Sequence, residues 1–160
     1  MRDAVELREI DPAHPDAQRC IAAYFDELDR RSDHGFDPVA SGGADLDRFR
    51  PPAGRMLVAY LGGRPVACGA LVHHAGAPHE IKRLWVDGAA RGRGLGRRML
   101  AELEARAAEH GARAVRLDTN RNLTEAIALY RATGYVEVPA FNDEPFAHHW
   151  FEKRLPRTSR

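Results

Sequence analysis

The alternation of apolar and polar positions orders this chain into strands and helices. Residues 4–10 alternate and then meet Asp11-Pro12, which predicts a first strand closed by a turn. From Asp16 to Arg31, Cys20, Ile21, Tyr24, Phe25 and Leu28 recur at helical spacing, while Asp26, Glu27, Asp29 and Arg30 fill the other face, as in an amphipathic helix. Residues 32–52 are rich in glycine and proline and predict a long loop with one helical turn at Ala44 to Phe49; a loop of that length is often functional. Two alternating runs, Arg55 to Leu61 and Arg64 to His74, are joined by Gly62-Gly63, the signature of a tight hairpin. Glu80 to Val86 predicts a further strand feeding a glycine-rich loop and a helix from Leu95 to His110, which Gly111 stops. A strand at Val115 to Thr119, a helix at Thr124 to Thr133 ended by Gly134, and strands at Tyr135 to Val138 and Ala147 to Leu155 complete the order. Strands first and then two strand-helix units imply an α/β fold with a mixed sheet.

Composition narrows this picture. A chain of 160 residues with 44% hydrophobic content predicts one domain spanning residues 1–160. Basic and acidic residues nearly cancel, at 24 against 23, so no global field draws the chain to nucleic acid or a membrane, and partner choice must come from local sites. Cys20 and Cys68 have no paired spacing and read as two buried free thiols. Without a signal-like or membrane-length apolar stretch, the expected location is cytoplasmic.

The candidate chemistry begins at Arg91-Gly92-Arg93-Gly94-Leu95-Gly96. A loop between strand and helix points unpaired N–H groups and the positive end of the helix dipole at any nearby anion, so phosphate is its natural guest. Side chains at Gly92, Gly94 or Gly96 would hold a ligand off the backbone or block the turn. Arg91, Arg93, Arg97 and Arg98 add positive charge, which suits a cofactor carrying a pyrophosphate and a separate phosphate. Arg97-Arg98 stand where a P-loop needs lysine and a hydroxyl residue, and the even glycine spacing fails the dinucleotide fingerprint. A glycine turn carrying arginines for solubility is the alternative.

Arg91, Gly94 and Gly96 fill the places of the cofactor motif of the GNAT superfamily of N-acetyltransferases, which this chain resembles. The resemblance runs back through Glu80-Ile81-Lys82-Arg83-Leu84-Trp85-Val86 and forward through Asn122 to Tyr135, covering Glu80 to Val138. One departure is Asn122, which lies eight residues before Tyr130 where many members place it seven before. Phe141 to Trp150 resembles bacterial GNAT domains, some of them fused to MarR-type regulators. The resemblance implies a mixed, mostly antiparallel sheet of six to seven strands flanked by about four helices. It implies acetyl-CoA as acetyl donor, with pyrophosphate on the amides from Arg93 to Gly96 and Arg97 and the pantetheine arm lying as an added strand beside Leu84, Trp85 and Val86; its two amides suit backbone pairing. Arg91, Gly92 and Asn122 complete the implied cofactor contacts.

The implied reaction is direct attack of a primary amine on the thioester in a ternary complex, with an N–H near Leu84 polarising the carbonyl. An alkyl amine with a pKa of about 10.4 is neutral in only about one molecule per thousand or fewer at pH 7, so a base is needed. Glu80 occupies the position of the glutamate base in the histone-acetylating branch, acting directly or through water; the alternative is a surface residue paired with Lys82 or Arg83. Tyr130 matches the general acid that protonates the CoA thiolate, against the reading of a core aromatic. Cys20 and Cys68 fall outside these motifs, which argues against an acetyl-cysteine route. His73-His74, His79 and His148-His149 cannot chelate as adjacent pairs because neighbours in a strand face opposite ways, so no metal is expected; one of His73, His148 or His149 serving as a base stays open. Asp26, Asp33, Asp37, Asp143 and Glu144 border the acceptor side in related enzymes and suit a cationic amine, against ordinary solvated surface. Trp85 and Trp150 read as cleft walls or as core. The acceptor, a small molecule, an amino acid or a peptide, is not chosen by the sequence. The family often dimerises, so a homodimer is an implied partner, and an acyl-CoA-binding module without turnover is the rival reading.

Overall fold

The computed structural model describes residues 4–33, 35 and 45–156. Strands β1 (Val5–Glu9), β2 (Gly54–Leu61), β3 (Arg64–Val72), β4 (His79–Val86), β5 (Ala114–Thr119), β6 (Val136–Val138) and β7 (His149–Arg154) form one sheet, ordered β1-β2-β3-β4-β5-β7-β6. Every neighbouring pair is antiparallel except β4 and β5. Three α-helices flank it among the described residues: α1 (Pro15–Arg31), α2 (Leu95–Glu109) and α3 (Thr124–Ala132). Where the resemblance implies about four helices, the remaining helical material among the described residues is two single 3-10 turns, Asp47–Phe49 and Gly88–Ala90.

Local chemistry sets these boundaries. Pro15 opens α1 at a position where its missing N–H costs nothing, and the His14 ring accepts a hydrogen bond from the Asp16 amide. Gly62 and Gly63, at φ of 58° and 78°, supply the two left-handed residues that close the β2–β3 hairpin. Each face of the sheet carries its own core. Cys20 and Ile21 of α1 pack with Phe49, Met56 and Val58 on one side; Leu95, Met99, Leu100 and Leu103 of α2 pack with Leu57, Leu71, Ile81, Leu117 and Tyr130 on the other. A Cβ on Gly69 would come 2.8 Å from Leu103 Cδ1, so glycine there lets α2 lie close on β3.

Two irregularities of β4 position the site. The β3–β4 register runs from Ala70 opposite Lys82 to Cys68 opposite Trp85, so Gly69 alone spans Arg83 and Leu84, and Arg83 takes the left-handed φ of 60°. This bulge shifts the inward-outward phase: Ile81, Leu84 and Val86 face the α2 core while Arg83 and Trp85 turn toward α1. Already before the bulge, β4 leaves its parallel partner. It pairs with β5 only at His79 with Val115 and Glu80 with Arg116. The sheet therefore opens as a wedge whose β4 side carries backbone groups without a strand partner.

Candidate active site

The glycine-rich loop stands at the mouth of this wedge. Gly92 and Gly94 sit at φ of 85° and 74° with open space where a Cβ would project, so their requirement is conformational. Gly96 differs: a Cβ there would lie 2.8 Å from Leu129 Cδ2, so this glycine admits α3 against the start of α2. Gly94 begins α2 with no side-chain cap and no acidic residue in the first turn. The first amide satisfied inside the helix is that of Arg98, bonded to the Gly94 carbonyl at 3.0 Å. The N–H groups of Leu95, Gly96 and Arg97 are thereby left to an external acceptor.

A cavity of about 390 Å³ lies against this helix end, lined by Arg91, Gly92, Gly94, Leu95, Gly96 and Arg97 and, on the strand side, by Leu84, Trp85 and Val86. Nine of the sequence-predicted cofactor residues thus meet around one space. Arg93 is exposed on the loop and does not line it. Asn122 does not line it either: its amide donates to the Arg31 carbonyl at 2.6 Å and to Asp33 at 3.1 Å, tying the end of α1 to the loop before α3. Arg91 is in the cavity wall, but its guanidinium is held by both oxygens of Glu27, at 3.0 and 3.1 Å. Arg31 lies 3.4 Å from the same carboxylate and bonds Glu125 at 2.8 Å, which makes a chain of alternating charges along the α1–α3 rim. The Arg31 hydrogen bond, foremost, pulls the Glu125 carboxyl down to about 2.

A narrower cleft of about 50 Å³ continues into the wedge and shares Tyr24, Leu28, Leu84, Leu123 and Ala126 with the larger cavity. Tyr130 lines it, only 5% exposed, and among the described residues nothing hydrogen-bonds its hydroxyl. Burial, then the nearby Tyr24 and Asp118, holds this phenol well above its ordinary pKa, so it stays protonated across the working range. Asp118 and Lys82 face each other in the cleft at 3.5 Å, with Asn142 bonded to Asp118 at 2.8 Å and Trp150 to Asn142 at 2.9 Å. Asn120, which sequence reasoning missed, is 5% exposed in the cleft wall and pins the loop before β7 through a 2.9 Å bond to the Phe146 carbonyl. Its only sequence signal was its place at the end of a strand.

Glu80 sits at the vertex of the wedge, where β4 and β5 are still paired, and lines neither space. His74 Nε2 lies 2.9 Å from its carboxylate, with Lys82 at 3.7 Å and Arg116 at 3.8 Å. The other histidines are apart from the cleft. His73 meets His79 at 3.0 Å and stacks on His110 at 4.3 Å, at the far end of β4. His148 accepts the Arg121 amide, and His149 meets Glu137 at 2.7 Å on β6. Among the described residues no group of three or more His, Cys, Asp or Glu is placed to hold a metal. Of the acidic residues, Glu144 reaches the cleft wall and Asp33 is engaged by Arg121 and Asn122; Asp37 lies outside the described residues. Cys20 and Cys68 are buried between α1 and β3, their thiols donating to the Ala67 and Arg83 carbonyls; the neighbouring Cys68 thiol lowers Cys20, while burial pushes Cys68 up.

The model of the acetyltransferase (GNAT) family matches residues 16–135, spanning both glycine loop and Tyr130 helix. The chain belongs to this family. Relatives extend the likeness. The IAA acetyltransferase of Azospirillum brasilense is 34% identical over 121 residues, covering 75% of this chain and 79% of that protein. A Klebsiella pneumoniae structure named as an acyl-CoA N-acyltransferase superposes with a TM-score of 0.77 at 29% identity, covering 94% of this chain and 97% of that one. A Bacillus anthracis acetyltransferase solved with acetyl coenzyme A shares the fold at a TM-score of 0.59 and 19% identity, covering 67% of this chain and 65% of that one. The chain is thus an acetyltransferase of this family. No helix among its described residues is long and apolar enough to cross a membrane.

Proposed function

We propose that this single-domain GNAT protein transfers acetyl from acetyl-CoA to a primary amine of a small molecule, amino acid or peptide, by direct attack while both substrates are bound. The observation that carries the proposal is the junction of two spaces: a cavity at the α2 N-terminus runs into a cleft lined by Tyr130. A pyrophosphate fits the free amides of Leu95, Gly96 and Arg97, and the unpaired β4 edge from Leu84 to Val86 suits the amides of a pantetheine arm. The thioester end then lies beside Tyr130, with the Leu84 backbone close enough to polarise its carbonyl.

Tyr130 acts as the general acid, since its protonated phenol makes no competing hydrogen bond among the described residues and can donate to the departing thiolate. Glu80 acts as the base through water, because its carboxylate stands outside the cleft wall, and His74, 35% exposed at the side chain, gives the accepted proton a route to solvent. Residues Cys20 and Cys68 are buried between α1 and the sheet, which favours a ternary complex over an acetylated thiol.

A CoA-release assay across amines, amino acids and peptides tests the reading, with Tyr130→Phe and Glu80→Gln beside the native chain. Turnover with at least one amine, falling more than a few-fold in both variants, is the expected result. Acetyl-CoA binding by calorimetry without release for any amine would overturn it in favour of a cofactor-binding module.

A further inference from the structure

One carboxylate oxygen in the cleft beside Tyr130 is open. Asp118, near the end of β5, lines the cleft with a side chain 13% exposed, and both of its partners sit on the same oxygen: Asn142 at 2.8 Å and Lys82 at 3.5 Å bond Oδ2. Oδ1 accepts no hydrogen bond among the described residues. Charge-assisted bonds close to about 2.7–2.9 Å, so Lys82 satisfies Asp118 only in part. The same ammonium is shared with Glu80 at 3.7 Å, a carboxylate that also has His74 at 2.9 Å and Arg116 at 3.8 Å. A largely buried carboxylate with an open oxygen costs free energy until a cation or donor completes it.

The place of this oxygen matters as much as its vacancy. Burial raises the phenols of Tyr24 and Tyr130, and the charge of Asp118 adds to both, so Asp118 stands close to the two hydroxyls. Tyr24 lines the donor cavity and the cleft alike, which puts Asp118 near their junction. Glu144, the other carboxylate of the cleft, is already engaged, and its charge acts on Arg83. Leu28, Leu84, Leu117 and Leu123 make the rest of the narrow wall apolar. We infer that Asp118 Oδ1 is the docking point for the acceptor, so that this enzyme takes its amine as a primary alkylammonium whose carbon stem lies against these leucines. This rests on the acyl-transfer reading above and deepens it. The proton leaves the bound nitrogen for Glu80 through water, and the neutral amine keeps one N–H on Oδ1. That bond orients the nitrogen; its lone pair attacks the thioester carbon, the C–S bond breaks, and Tyr130 protonates the sulfur. Asp118 touches the acceptor and moves no proton.

The test measures dissociation constants by NMR titration of the CoA-saturated protein, where no acetyl group is present to transfer. It compares the amine best turned over in the CoA-release panel with the alcohol of the same carbon skeleton, its neutral match. At pH 7 an alkyl amine is almost wholly cationic, so the difference between the two reads the charge. The native protein is expected to hold the amine at least tenfold more tightly than the alcohol. Asp118→Asn, which keeps an oxygen for Asn142, should bring the two within threefold, while Asp118→Glu retains part of the gap. Asp118→Ser takes the place of the asparagine variant if that variant melts below the native protein. In turnover, Asp118→Asn should raise KM for the amine tenfold or more and leave KM for acetyl-CoA within threefold, a split that loosening of the whole cleft would not give. Equal binding of amine and alcohol by the native protein, or a gap unchanged in Asp118→Asn, overturns the inference and leaves the acetyltransferase reading standing. If no amine is turned over, that reading fails, and the same titration with butylamine against butanol still judges Asp118. Tighter binding of the amine, lost in the variant, supports the docking point; equal binding overturns it.

Discussion

The donor half and the acceptor half of the site are built by different means. On the donor side the determinants are backbone: a left-handed Gly92 and Gly94, a close contact at Gly96, the open N–H groups of α2 and the unpaired edge of β4. Side chains could vary there with little change of ligand, since the recognised groups are amides and a helix dipole. On the acceptor side the determinants are charged side chains held by one another, Lys82 with Asp118, Asn142 with Asp118, Arg83 against two aromatic rings. Backbone recognition suits a donor shared by a whole family, whereas side-chain recognition suits an acceptor that differs between members.

The sharpest way to break the donor half is Gly94→Glu. A side chain at φ of 74° is strained, and a carboxylate would face the phosphates in place of open space. Acetyl-CoA affinity by calorimetry should fall on the order of 100-fold. A dissociation constant within threefold of native would show that the phosphate cradle lies elsewhere. Tyr130→Phe comes next and separates binding from chemistry: kcat should drop on the order of 100-fold while acetyl-CoA affinity is kept. A parallel loss of affinity would mean that the ring, not its hydroxyl, is what matters.

The same contrast explains what the sequence disclosed. Strands, helix ends and the glycine loop follow from periodicity and from residues with special backbone freedom, and Gly62, Gly94, Gly111 and Gly134 all sit where a left-handed turn is required. The β4 bulge left a trace too, since Ile81 and the pair Leu84 and Val86 are out of phase for an uninterrupted strand. The engagement of Arg91 by Glu27 left none. Two residues 64 positions apart meet only after α1 has packed across the sheet, and no local pattern encodes that. Asn122 is a similar case, its amide committed to α1 rather than to the cavity, and Asn120 became visible only when the loop before β7 closed on it.

Glu80→Gln has a smaller expected effect, on the order of tenfold in kcat, because a base acting through water loses less than a direct one. Its checking measurement is kcat for one amine in the variant and the native chain, and equal values would remove Glu80 from the reaction. Smaller again is Glu27→Gln, which frees Arg91 for phosphate. An exposed pair of this kind contributes up to about 1 kcal/mol, so acetyl-CoA should bind up to about fivefold tighter at low salt, with the difference shrinking as salt rises. Weaker binding in the variant would mean that Glu27 holds Arg91 in its working position instead of competing for it.

The mildest expectation concerns a region that serves neither substrate. Burial, then the charges of His110, His79 and Arg55, holds His73 down at about 4, while Glu9 alone pulls the other way. A histidine whose folded pKa is depressed favours the folded state while neutral. Its contribution is therefore present above the unfolded pKa of about 6.5 and is lost as the pH falls toward 4, where the unfolded chain binds the proton first. The melting temperature should decline across that window, and His73→Phe, which keeps a ring stacked near His110 but cannot titrate, should flatten the decline. Acetyl-CoA affinity should follow the native value in this variant at pH 7, because His73 stands at the opposite end of β4 from the cavity. A decline of equal slope in both proteins would transfer the pH sensitivity to His79 and remove His73 from the account.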